Sequence, residues 1–136
     1  PALVDTGTTL LLLRGPAYHS LKGYFQDHFC GVQRLHFMCP TTKTNVWDRE
    51  DLTYWALPPE DLAQLPTLYF YFRGPPPGPD VSPEPVGVAL PPSAYFSCLE
   101  GHRVPQCFFG IQSSPGQTIL GDVFLRPHYV VFDRTA

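Results

Sequence analysis
Seventeen prolines are spread through 136 residues, and eight of them fall between Pro75 and Pro92. Proline fixes its own φ and offers no backbone donor, so this stretch cannot be a central strand or a helix interior. It reads as a proline-rich insertion loop, residues 74–92, on the surface of a single domain spanning 1–136. A ligand for a proline-recognition module is the lesser alternative. The chain is long enough to bury a core. Its 43% hydrophobic and 15% charged residues fit a folded protein rather than a disordered one.

The formal charge of −3 gives no electrostatic draw to nucleic acid. The run Leu10–Leu13 is broken by Arg14 and Gly15, so no membrane segment is expected in this piece. Four cysteines stand at Cys30, Cys39, Cys98 and Cys107, as two pairs each nine apart. No CxxC spacing is present, and His19, His28, His36, His102 and His128 show no ligand spacing, so neither a metal nor another cofactor is expected. An even cysteine count favours two disulfides and an oxidising compartment, with three pairings open.

The pattern predicts mostly strand with one or two short helices. Residues 2–4 read as a strand end, followed by a turn at Asp5-Thr6-Gly7 and a second strand over 8–13. Pro16 suits the first turn of a helix over 16–29, whose apolar stripe is Ala17, Leu21, Phe25 and Phe29 with Tyr18 and Tyr24 beside it. Residues 31–56 carry no clear signal. Pro58–Leu62 reads as a helical turn with acids at its start. Strands are expected at 68–72, 86–90, 94–96, 107–111, 118–120 and 129–132.

One acid sits where chemistry is possible. A carboxylate used for acid–base work must be held in fixed geometry. Asp5 follows a short apolar strand and enters a tight turn, with the hydroxyls of Thr6 and Thr8 beside it and Gly7 allowing close backbone approach. Asp-Thr-Gly is also an ordinary turn tripeptide, so three residues do not decide the matter. Asp122 and Asp133 are weaker candidates. Asp122 follows a turn glycine and reads as a helix cap or a turn residue, and Asp133 reads as an ion-pair partner of Arg134.

The rest of the chain adds weight. Val4-Asp5-Thr6-Gly7-Thr8-Thr9 is followed far downstream by Ile119-Leu120-Gly121-Asp122-Val123-Phe124-Leu125 and Tyr129-Val130-Val131-Phe132-Asp133-Arg134. Together these resemble the C-terminal lobe of the pepsin-like aspartic proteases, across nearly the whole chain. Leu65-Pro66-Thr67-Leu68-Tyr69-Phe70 and Leu90-Pro91-Pro92-Ser93-Ala94-Tyr95 are similar to intermediate landmarks of that lobe. The extra cysteines and Cys107-Phe108-Phe109-Gly110-Ile111 look more like the divergent nepenthesin-like and plasmepsin V-like branches. The proline insertion matches neither branch well.

The resemblance implies a mostly β lobe of a bilobal acid-protease fold, incomplete at both ends and lacking the N-terminal lobe as its partner. It implies an aspartic endopeptidase acting on peptide or protein substrates, with Asp5 as one of two catalytic aspartates. Thr6, Gly7 and Thr8 would support that dyad. Thr9 and, more weakly, Ile119 would line the substrate cleft, with Leu120 and Gly121 as structural support. It also implies the disulfides Cys39–Cys107 and Cys30–Cys98, and a secretory, extracellular or lysosome- or vacuole-like location. This piece alone is expected to be inactive. Two other readings stay open: a non-catalytic inhibitor or binding relative on the same fold, and a retropepsin-like homodimer with Asp5 from each copy.

Overall fold
The computed structural model describes residues 1–31, 35–47, 49, 52–74 and 78–134. Among the described residues nine strands and four α-helices follow in order, with one 3-10 turn at His36–Met38. They are β1 (Ala2–Val4), β2 (Leu11–Arg14), α1 (Gly15–Phe29), β3 (Tyr54–Ala56), α2 (Pro59–Leu62), β4 (Leu68–Arg73), β5 (Pro85–Leu90), α3 (Pro92–Tyr95), β6 (Phe96–Leu99), β7 (Gln106–Phe109), β8 (Ile111–Ser114), β9 (Thr118–Leu120) and α4 (Asp122–Leu125). The architecture is the mostly β one expected, consistent with a pepsin-like lobe.

The central sheet has the order β1-β9-β2-β8. The late strand β9 therefore lies between two strands that are neighbours in sequence. It runs parallel to β1 and antiparallel to β2. A three-stranded sheet, β3-β7-β6, and a hairpin, β4-β5, complete the strands. Alternation places Leu11, Leu13 and Leu120 on the core face of the central sheet. Leu3, Leu12 and Ile119 pair side by side on its other face and are partly exposed.

Helix α1 closes over the core, but not along the expected stripe. Tyr18, Phe25 and Phe29 are buried, Leu21 is half-buried and Ala17 is exposed. Residues four apart drift by about 40° per step around a helix of 3.6 residues per turn, so a strict four-residue row cannot stay on one face. Aromatic rings dominate the interior. Trp47 packs against Tyr18, Phe25 and Phe109 at ring separations of 5.7, 5.7 and 5.1 Å, and its Nε1–H donates to the Met38 carbonyl at 2.9 Å. Tyr95 is fully buried and its hydroxyl donates to the Pro66 carbonyl at 2.7 Å. That bond ties α3 to the entry of β4. Burial, and then the field of Tyr24, push the Tyr95 hydroxyl above its ordinary value, so it stays a protonated donor.

Several expectations are corrected. The disulfides are Cys30–Cys39 and Cys98–Cys107, not Cys39–Cys107 and Cys30–Cys98. The reason is local. Cys98 and Cys107 face each other in the β6–β7 ladder, and Cys39 returns to within 5.4 Å (Cα–Cα) of Cys30 just after α1. The strand expected at 86–90 is present as β5, inside the 74–92 stretch read as a loop; among the described residues it pairs only with β4, so Pro85 enters a strand edge that needs no donor from it. Pro75–Pro77 lie outside the described residues. Residues 92–95 are helical rather than strand, because Pro92 opens a turn at the first helical position. The expected strand at 107–111 is divided at Gly110 into β7 and β8, and the second strand begins at 11 rather than 8. Residues 129–132 form no strand. Tyr129 is 96% exposed and Val131 71%, with no ladder to hold them among the described residues.

Tyr95→Phe leaves the Pro66 carbonyl without its buried donor. The expected cost is about 1–2 kcal/mol, read as a lower urea midpoint at unchanged slope.

Candidate active site
The site is made by a crossing of backbones. The loop of residues 5–10 leaves β1, arches over the end of β9 and returns as β2. It is bonded to what it crosses. Asp5 N–H donates to the Leu120 carbonyl at 3.1 Å, Asp122 N–H to the Thr8 carbonyl at 2.7 Å and Val123 N–H to the Thr9 carbonyl at 2.9 Å. A side chain at residue 121 would strike the Thr8 and Leu10 carbonyl oxygens. Gly121 has an extended backbone, so glycine is needed there for space and not for conformation.

Asp5 is partly exposed at the start of this loop. Its Oδ1 accepts the Gly7 N–H at 2.9 Å and its Oδ2 accepts the Thr8 hydroxyl at 2.6 Å. Each carboxylate oxygen thus has a donor, and the group cannot rotate freely. The Thr8 hydroxyl, and after it the Gly7 amide, hold the Asp5 carboxyl below its ordinary value, against a smaller opposing effect of desolvation. Folding therefore favours the ionised form. That contribution is present above the ordinary carboxylate range and is lost as pH falls through the lowered folded value.

The other expected residues divide. Thr6 and Thr9 are exposed on the loop. Thr9 borders a small cleft with Ser93, Ser97, Phe108 and Arg126. Ile119 sits in β9 between Leu3 and Leu12, next to the residue whose carbonyl accepts the Asp5 N–H. Leu120 is 6% exposed and supplies the carbonyl beneath Asp5. Asp122 is not the helix cap. Gly121 occupies that place, and Asp122 begins α4, paired to Arg126. That pairing leaves Asp5 as the acid of the turn.

The packing role of one residue, Gly110, escaped the sequence reading. A Cβ at Gly110 would lie 2.6 Å from the Val123 side chain, and the Gly110 carbonyl accepts the Leu11 N–H at 2.9 Å. It packs β7 and β8 against the segment behind the loop. A lone glycine inside an apolar strand pattern was the available signal.

Thr8→Val should raise the Asp5 midpoint in a carbon-detected NMR titration, because the larger of the two donors to its charged form is gone. An unmoved midpoint would contradict the assignment. Gly121→Ala meets two backbone carbonyls that cannot rotate away. The expected loss is about 3 kcal/mol, the upper end for overpacking, read by urea unfolding.

The chain matches the eukaryotic aspartyl protease family over residues 1–136. It is 30% identical over 139 residues to gastricsin of Suncus murinus, an alignment covering 97% of this chain and 27% of the gastricsin. It is 27% identical over 139 residues to pepsin A of Gallus gallus, covering 98% and 27% of the two chains. Pepsin A of Rhinolophus ferrumequinum gives 30% identity over 139 residues, with the same coverages of 98% and 27%. The chain thus spans roughly a quarter of the length of these curated relatives. By the family match over its whole length and by its pepsin and gastricsin relatives, this chain belongs to the eukaryotic aspartyl proteases as a pepsin-like member.

Proposed function
We propose that this chain is the C-terminal lobe of an aspartic endopeptidase and that Asp5 is its catalytic aspartate. The observation that carries the reading is the carboxylate held by the Gly7 amide and the Thr8 hydroxyl on an exposed loop. The partner aspartate belongs to an N-terminal lobe outside this chain. Two carboxyls brought close cannot both ionise cheaply, so they share one proton. The ionised member takes a proton from a bound water, which attacks the scissile carbonyl. The protonated member donates to the carbonyl oxygen as it gains charge. The titration belongs to the pair and not to either residue.

The donors around Asp5 fit this role. They favour its charged form and fix its plane, so the carboxylate meets the water in one orientation. Thr6 lies in the contact between the two lobes, and Gly7 lets their loops meet. Thr9 lines the cleft, with Ile119 as a weaker contributor. The substrates are peptides or proteins. The two disulfides support a location on the secretory route or beyond it.

The test is cleavage of a peptide library by the full-length protein from the parent locus, with and without pepstatin. Wild type should cleave and be inhibited, and Asp5→Asn should lose about a thousandfold or more in kcat, the scale of a lost catalytic group. Equal activity in the two proteins would refute the assignment of Asp5. An inactive wild type would instead favour the non-catalytic relative. Activity confined to a concentration-dependent dimer would favour the homodimer. Thr8→Val should shift the acid limb of the kcat/KM profile to higher pH, since the ionised form of the pair then needs a higher pH.

A further inference from the structure
The four cysteines take no part in the proposed catalysis, and their two disulfides differ in access. One residue of each is sealed, with Cys39 4% exposed and Cys107 0%. The partners are unlike. Cys30 is half-buried at the end of α1, whereas Cys98 is exposed and lines a cleft with Pro59, Leu62, Ala63, Pro92 and Phe96. We infer that Cys98 is a site of thiol–disulfide exchange, open to a low-molecular-weight thiol entering this cleft, while Cys30–Cys39 stays closed.

Exchange requires a thiolate to reach a disulfide sulfur. Its rate depends on the leaving sulfur and on access. The leaving sulfur belongs to a buried residue in both bonds, so access decides between them. A thiolate attacks the Cys98 Sγ and forms a new S–S bond there. The Cys98–Cys107 bond breaks, its electron pair passes to the Cys107 Sγ, and that sulfur takes up a proton. With a dithiol, the second thiolate attacks the mixed disulfide and closes a cyclic disulfide. It releases Cys98 as a thiol, and the two electrons come from the dithiol. The cleft is lined mostly by apolar side chains, with Ser93 as its polar member, which favours a reagent with an uncharged body.

The fold does not depend on this bond for its register. β6 and β7 are laddered from Phe96↔Phe109 to Leu99↔Gln106, and β7 is also laddered to β3. Phe96 is 1% exposed and Phe109 5%, so burial pins both strands.

The experiment treats the full-length protein with dithiothreitol at mildly alkaline pH and alkylates it natively with an isotopically light reagent. Denaturation and a heavy reagent follow, and the peptides are mapped. The expected pattern is light label on Cys98 and heavy label on Cys107. It should appear about tenfold faster than any label on Cys30 or Cys39, with near-UV circular dichroism unchanged. Labelling of Cys30 and Cys39 first, or of all four together, would overturn the inference. So would recovery of Cys98 bonded to a cysteine other than Cys107.

Discussion
At Gly121 two stretches of backbone share a space too small for a methyl group. The 5–10 loop passes over the end of β9, and the carbonyls of Thr8 and Leu10 lie where a side chain would begin. Everything near Asp5 follows from this crossing. Amides from both sides close it, Asp5 onto Leu120 and Asp122 onto Thr8. The crossing joins the first strand of the chain to its last helix, so the turn is anchored by residues more than a hundred positions away. A local Asp-Thr-Gly turn would hold its carboxylate only as well as the turn held itself. Here the turn is clamped to the inner strand of a sheet, at the buried Leu120.

That clamp explains why the carboxylate can be exposed and still fixed. Solvent gives an aspartate no preferred orientation. The Gly7 amide and the Thr8 hydroxyl do, and both are carried by the clamped loop. The same two donors favour the charge that the proposed chemistry requires. Position and charge state therefore have one structural cause, a loop that cannot relax because glycine lets β9 pass beneath it.

The loop and its glycine were legible in the sequence because both are short, contiguous and chemically unusual. The long helix and the 68–72 strand were legible because their apolar runs are dense. What escaped depends on pairing between distant residues. Cysteine connectivity follows from the β6–β7 register and from the return of the chain after α1, and no spacing encodes either. The face of α1 was misplaced at Ala17 and Tyr18 because a four-residue row precesses around the helix. Residues 129–132 have strand composition, yet a strand exists only in a ladder, and none forms there. Gly110 was hidden because the side chain that needs its missing Cβ, Val123, comes from the far end of the chain.

The exposed apolar surface is the last consequence. β1 leads into Asp5 and is an edge strand of its sheet among the described residues, and Leu3 and Val4 are 44% and 45% exposed on it. Val4 also borders an apolar hollow with Phe72, Phe124, Tyr129 and Val131. A carboxylate that must face a second carboxylate cannot lie in the middle of its own lobe. On the two-lobed reading it sits at the boundary, just past a strand whose outer edge is open to the partner. On that reading, the apolar edge beside Asp5 is then a condition of the chemistry, because bulk solvent is kept from the dyad and its one bound water only where the two surfaces that carry it close against each other.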